Sequence, residues 1–139
     1  MKKKKYSKVR YIKINKFFSK GGYLFSFENN ISKFPIKIKR IFFTIAEKNS
    51  IRGEHAHKFC SQMIVCLNGE VRIKTIDKNS KKKLFTLKND NNALFVPNLF
   101  WNTIKFIKKK TTIAVMCDYK YDRKKDYLES LDDFYKYQR

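Results

Sequence analysis

Two histidines, His55 and His57, are the residues whose type and spacing point most directly to chemistry, and the chain contains no others. On a β-strand, residues i and i+2 face the same side, so both imidazoles are predicted to share one face. An unperturbed histidine titrates near ~6.5, so a positioned pair can remove one proton from a substrate and deliver another. A pair exposed to solvent without function is the alternative. Its setting argues against this, because Arg52-Gly53 precedes the pair and an apolar strand soon follows.

Apolar and polar residues alternate with a period of two through most of the chain, which predicts β-strands on both sides of the histidine pair. These strands must position the two imidazoles. The predicted strands are residues 8–14, 23–28, 40–47, 54–58, 62–67, 70–76, 83–88, 93–96, 101–106 and 111–119. Turn-forming stretches separate several of them, at LNGE (67–70), DKNSKK (77–82) and NDNN (89–92). Many short strands at this spacing indicate a β-sandwich or a barrel.

The tail is the one stretch with helical spacing. Between residues 123 and 137, apolar and aromatic residues recur at intervals of three and four, which predicts a single helix capping an all-β domain. A length of 139 residues fits one domain, which we place at residues 8–139. The lysine-rich residues 1–7 are expected to form a disordered basic N-terminus.

A net charge of +21 raises the question of a nucleic-acid partner. Only six of the 33 basic residues are arginines, and the lysines are spread along the whole chain. Sites that read bases favour the planar fork of arginine. The charge therefore predicts a solvated lysine surface, with no nucleic-acid partner, that still attracts anionic substrates.

Cysteine usage and hydropathy indicate the compartment. Cys60, Cys66 and Cys117 are odd in number and widely spaced, which is not a disulfide framework. The basic N-terminal opening has no apolar run behind it, and no stretch of about 18 apolar residues exists. We therefore expect a cytoplasmic protein without a membrane partner.

The stretch HAHKFCSQMIVCLNG (55–69) resembles the first motif of the cupins, which has an HxH pair, a glutamate and, after a strand, a glycine. Gln62 stands at the glutamate position. The stretch VPNLFWN (96–102) resembles the second cupin motif, with Leu99 at its glycine and Asn102 at its histidine. Catalytic metal sites typically use at least three good protein ligands. These departures predict a site without a metal.

A longer stretch, RIFFTIAEKNSIRGEHAHKFCSQMIVCLNGEVRI (40–73), resembles the core of the dTDP-4-keto-6-deoxyglucose 3,4-ketoisomerases, the WxcM-like or FdtA-like group of cupins. The opening SKGGYLFSFE (19–28), the strand LFVPNLFW (94–101) and the ending YDRKKDYLESLDDFYKY (121–137) resemble further segments of that family. The match runs from about residue 10 to residue 137.

The resemblance implies an all-β cupin jelly-roll β-barrel with one short C-terminal α-helix, and a homodimer without a cofactor. It also implies that a histidine moves the C3/C4 proton of a dTDP-linked 4-keto-6-deoxy sugar through an enediol. The 3-keto product would supply 3-amino-3,6-dideoxy sugars for surface glycans. By the same resemblance, His57 is the base and His55 assists it. The implied substrate contacts are Arg52, Arg40, Tyr23, Trp101, Asn102 and Gln62.

Other interpretations stay open for several of these residues. Arg40 and Arg52 are otherwise surface charges, and Trp101 is otherwise a core residue. Phe42 and Phe43 replace the family's tyrosines, so a hydroxyl role there is lost, and Gly21 replaces an arginine.

Two other functions also stay open for the whole chain. One is another nucleotide-sugar cupin such as a 3,5-epimerase, a class that needs a distinct His–Asp arrangement. The other is a non-catalytic cupin that binds a sugar or a nucleic acid. Residues 8–28 are expected to pair across the subunits of the homodimer, covering an otherwise exposed sheet edge.

Overall fold

The computed structural model describes residues 8–29 and 34–139. The expected disordered N-terminus, residues 1–7, lies outside the described residues. The elements are β1 (Arg10–Lys13), β2 (Asn15–Ser19), β3 (Gly22–Ser26), β4 (Arg40–Ala46), β5 (Ile51–His57), β6 (Gln62–Asn68), β7 (Glu70–Ile76), β8 (Lys82–Lys88), β9 (Asn92–Val96), β10 (Trp101–Phe106), β11 (Thr111–Cys117), α1 (Arg123–Asp126), β12 (Tyr127–Leu128) and α2 (Leu131–Tyr137).

Antiparallel strands form two five-stranded sheets, in the orders β1-β9-β6-β11-β4 and β12-β5-β10-β7-β8. Strands β2 and β3 form a separate two-stranded hairpin. Inward-facing residues of both large sheets, including Ile64, Val71, Leu87 and Val115, meet in one apolar core. The chain crosses between the two sheets at every step from β4 to β12 except from β7 to β8, as in a sandwich or barrel. The all-β prediction is confirmed.

The tail differs from the predicted single helix. Asp122 caps α1 and Ser130 caps α2, and between the two helices the chain is extended, with ψ of 138° at Tyr127. Tyr127 and Leu128 pair with His57 and Ala56 on β5. The pairing of β12 with β5 thus overrides the helical spacing of the sequence. Because of this pairing, the tail lies along β5, the strand that carries both histidines.

Over residues 8–29 and 34–139, no helix has the length and apolar character needed to cross a membrane.

Candidate active site

A cavity of about 890 Å³ opens between the two sheets beside β5. Four of the predicted site residues line it: His55, Arg52, Gln62 and Asn102. The inward face of β4 contributes Phe42 and Thr44, and the tail contributes Tyr121, Arg123, Tyr127 and Glu129. The sheets and the tail segment therefore converge on the histidine pair.

A β-bulge in β5 sets the direction of His55. Asn102 pairs with His55 whereas the next residue, Thr103, pairs with Gly53, so Glu54 is the extra residue. Gly53 and Glu54 both have positive φ, at 81° and 59°. A Cβ at Gly53 would lie 2.7 Å from Oδ1 and 2.9 Å from the backbone oxygen of Asn102. Glycine is therefore required at this bend, and the Gly53 carbonyl lies 2.9 Å from Nδ1 of His55.

The two imidazoles meet directly, with 3.2 Å between their Nε2 atoms. His57 is 3% exposed, and its Nδ1 lies 2.6 Å from Oδ2 of Asp126, which is fully buried. Oδ1 of Asp126 accepts hydrogen bonds from the backbone N–H groups of Phe59 (2.8 Å) and Cys60 (3.1 Å). The carboxylate is thus fixed by the backbone, and it fixes the ring of His57 in turn.

The hydrogen bonds determine how many protons the pair holds. Gly53 offers only a carbonyl and ionised Asp126 only acceptors, so Nδ1 of both rings must donate. The two Nε2 atoms would then present lone pairs to each other at 3.2 Å unless one of them carries a proton. The contact is therefore a hydrogen bond only in the state in which one Nε2 carries an additional proton. The positive charge of that state is compensated by Asp126.

The electrostatics set the charge states of His55 and Asp126. Burial, followed by the charge of His57, lowers the pKa of His55 to about 4. Burial alone would raise the pKa of Asp126, but hydrogen bonds from His57 and from the Phe59 backbone outweigh it and hold this pKa below its usual value. His55 is consequently neutral near pH 7, and Asp126 is ionised.

Arg40, Trp101 and Tyr23, the remaining residues of the predicted site, lie elsewhere. Arg40 projects from β4 toward Tyr127 and the sulfur of Cys117, which is 3.6 Å from its Nη2. Trp101 is 8% exposed and packs with Phe134 in an apolar cluster beneath α2, which matches its alternative interpretation as a core residue. Tyr23 is 54% exposed on the β2–β3 hairpin.

Asp126 and Tyr127 are the residues that the sequence prediction missed. A tail read as one continuous helix gives no reason to single out this pair. The one available signal was the resemblance of the KKDYLES stretch (124–130) to the ending of a known family.

The donor atoms of three side chains, His57, Cys60 and Asp126, lie within 4.8 Å of one another and are the candidate metal ligands among the described residues. Asp126 already accepts three hydrogen bonds here. A hydrogen bond with Cys117, together with burial, raises the pKa of the Cys60 thiol, whereas metals bind thiolates. The group fits a hydrogen-bonded network better than a metal centre.

Comparisons with known proteins agree on one family. The family model described as WxcM-like, C-terminal (FdtA) matches residues 7–139. A TDP-4-oxo-6-deoxy-α-D-glucose-3,4-oxoisomerase from Aneurinibacillus thermoaerophilus is 32% identical over 127 residues, covering 91% of this chain and 89% of the relative.

Solved structures give the same result. QdtA, a sugar 3,4-ketoisomerase from Thermoanaerobacterium thermosaccharolyticum crystallised with TDP, has a TM-score of 0.84 at 28% identity, over 93% of both chains. WlaRA, a TDP-fucose-3,4-ketoisomerase from Campylobacter jejuni, has a TM-score of 0.83 at 25% identity, over 96% of this chain and 97% of the other. The family match spans nearly the whole chain and the fold agrees throughout, so this protein belongs to the WxcM-like, C-terminal (FdtA) family, as its HAHK and tail motifs predicted.

Proposed function

We propose that this protein is a sugar 3,4-ketoisomerase that converts TDP-4-keto-6-deoxyglucose into a TDP-linked 3-keto-6-deoxyhexose. The observation that carries the proposal is the His55–His57–Asp126 network at the cavity wall. The names of the relatives support the substrate and the reaction. The chain acts as one domain over residues 8–139. Its three buried free cysteines suit the reducing cytoplasm as its compartment.

The reaction moves a carbonyl from C4 to C3 and needs no net oxidant. In the first half, His57 takes the proton from C3, and the electrons of the broken C–H bond form the C3–C4 double bond as O4 is protonated. In the second half, O3 loses its proton and C4 gains one from His57. Asp126 stabilises the imidazolium that forms between the two halves, as the carboxylate of a catalytic triad does.

His55 lies at the cavity wall and His57 behind it, so access to Nε2 of His57 requires His55 to leave its 3.2 Å contact. Half-buried at the cavity surface, His55 has room to turn toward the cavity. We assign His57 as the base because it is the ring backed by a carboxylate. His55 assists by covering Nε2 of His57 until substrate displaces it.

Substrate binding is assigned to the polar groups around this pair. The cavity lies within the range of ~300–1,000 Å³ that holds small ligands. Arg52 at its rim can present paired donors to a diphosphate. Gln62 and Asn102, both buried beside His55, can hydrogen-bond the sugar hydroxyls.

Product analysis tests the proposed function. After incubation with TDP-4-keto-6-deoxyglucose, NMR spectra are expected to show the sugar carbonyl at C3. A protein that binds TDP but leaves the sugar unchanged would be a non-catalytic cupin, contrary to the proposal.

One observation favours a second candidate. The His57–Asp126 hydrogen bond is a His–Asp pair, which is the arrangement expected of a nucleotide-sugar epimerase. The same spectra separate the two activities, because an epimerase would invert C5 or C3 and leave the carbonyl at C4.

Activity is expected to survive EDTA, and elemental analysis is expected to find no stoichiometric zinc, iron or manganese. The reason is that Gln62 and Asn102 occupy the positions of metal ligands, while Cys60 and Asp126 are engaged in hydrogen bonds. Loss of activity on chelation, with recovery after one metal is added back, would contradict this expectation.

We also propose a homodimer, supported by two exposed apolar surfaces. The outer face of the edge strand β4 exposes Ile41, Phe43 and Ile45 by 50%, 65% and 68%. The β2–β3 hairpin exposes Phe17, Phe18, Tyr23 and Leu24 by 54–65%. A hairpin laid along β4 of the partner would cover both surfaces and extend the sheet at its open edge. Tyr23 would then lie beside the partner's cavity, whose wall includes the inner face of β4.

Phe43→Glu is expected to dissociate the dimer, because it places a charge in the centre of the apolar face of β4. Leu84→Glu is the matched control, since Leu84 is equally exposed (66%) on β8 in the other sheet. Light scattering at micromolar concentration is expected to report a dimer for the wild type and the control, and a monomer for Phe43→Glu. A monomeric wild type would contradict the assembly.

A further inference from the structure

Tyr127 is the aromatic residue that contacts both histidines. Its ring centroid lies 4.8 Å from that of His55 and 4.5 Å from that of His57. Its backbone pairs with His57, so the position of the ring follows from the register of β12 on β5. The side chain is half-buried and lines the cavity.

A half-buried cation, Arg40, is a neighbour of Tyr127. Its guanidinium lies 5.3 Å from the ring centroid of Tyr121, which in turn lies 6.0 Å from that of Tyr127. The positive charge favours the phenolate form of Tyr127. Arg40 also contacts the Cys117 sulfur and the ring of Phe42, and its Nε is buried without a partner among the described residues. Because the side chain of Tyr127 lines the cavity, its O–H can donate there.

The β4 strand offers no phenol to the cavity. Phe42 lines the cavity with a plain phenyl ring, and Phe43 faces outward. Thr44, Ser50 and Tyr121 also line the cavity, but among the described residues Tyr127 is the hydroxyl-bearing side chain whose ring contacts both histidines.

We propose that Tyr127 is the second acid–base catalyst of this site, which protonates the C4 oxygen while His57 removes the C3 proton. This inference rests on the proposed ketoisomerase function. As the C3–H bond breaks, the carbonyl electrons move to O4, which takes the phenol proton and gives the enediol. Arg40 holds the resulting phenolate. The phenolate then takes the proton from O3, and the C3 carbonyl forms. At the same time C4 takes its proton from His57. Tyr127 and His57 thus return to their starting protonation states.

The protonation state at rest agrees with this role. Burial raises the pKa of Tyr127, and the neighbouring Arg40 opposes the rise without cancelling it. The phenol is therefore protonated at neutral pH and ready to donate. Once it has donated, the adjacent guanidinium stabilises the anion, as an oxyanion-hole donor would.

The test compares Tyr127→Phe with Tyr137→Phe, a control in the exposed part of the same tail. Tyr127→Phe is expected to lose roughly 10²-fold or more in turnover, with unchanged TDP affinity and melting temperature. Tyr137→Phe is expected to behave as the wild type. If the wild type itself does not isomerise the sugar, the proposed function fails. If the wild type is active and Tyr127→Phe retains its turnover, the role of Tyr127 is overturned.

A second variant keeps the test valid if Tyr127→Phe folds poorly. Incorporation of a fluorinated tyrosine at position 127 preserves the shape of the ring and lowers the pKa of the phenol. The alkaline limb of the pH–rate profile is then expected to move to lower pH. A purely structural tyrosine would leave the profile where it is, and this result would overturn the inference.

Discussion

His57→Asn is expected to lose at least roughly 10²-fold in turnover while keeping its fold and its affinity for TDP. The variant removes the ring that exchanges a proton with carbon, and asparagine can still accept or donate hydrogen bonds in its place. His55→Asn is expected to lose less, because His55, with a pKa of about 4, is a weak base near pH 7 and serves as a helper.

Three measurements on both histidine variants separate this account from a structural role: melting temperature, TDP affinity and turnover. If the pair only packs the barrel, either substitution lowers the melting temperature sharply, and activity falls only with the folded fraction. A His57→Asn protein that folds, binds TDP and turns over at the wild-type rate would remove His57 from the mechanism.

Asp126→Asn is expected to lose roughly 10²–10⁴-fold in turnover with a smaller effect on TDP affinity. The asparagine oxygen can still accept from the Phe59 and Cys60 backbone, so its amide group must face Nδ1 of His57. An amide donor at that position forces Nδ1 to accept and moves the ring proton to Nε2. His57 then holds the wrong tautomer and cannot act as a base at Nε2.

Asp132→Asn provides the matched control, since it removes a carboxylate from the exposed first turn of α2. This variant is expected to remain fully active. Equal activity of Asp126→Asn and Asp132→Asn would mean that the carboxylate does not set the tautomer of His57.

The histidine pair was predictable from sequence because its geometry is local. A period of two places His55 and His57 on one strand face whatever the rest of the chain does, and their Nε2 atoms lie 3.2 Å apart. Gln62 and Asn102 could be placed beside them because family motifs fix their positions relative to the pair. Both line the same cavity.

Asp126 and Tyr127 were not predictable from spacing, because they reach the site through a contact between strands distant in sequence. Asp126 lies 69 residues from His57, and its segment has helical periodicity up to the point where it pairs with β5. Trp101 differs from the substrate contact that the resemblance implied. It precedes Asn102 on β10, and its side chain packs in the apolar cluster beneath α2, as its alternative interpretation predicted.

Deuterium incorporation during turnover in heavy water tests the central claim most directly. If His57 takes the C3 proton and exchanges it with solvent before it returns a proton to carbon, recovered TDP-4-keto-6-deoxyglucose is expected to carry solvent deuterium at C3. The 3-keto product is expected to carry deuterium at C4, with C5 unlabelled in both compounds. Deuterium at C5, or recovery of the unlabelled sugar with no 3-keto product, would contradict the account.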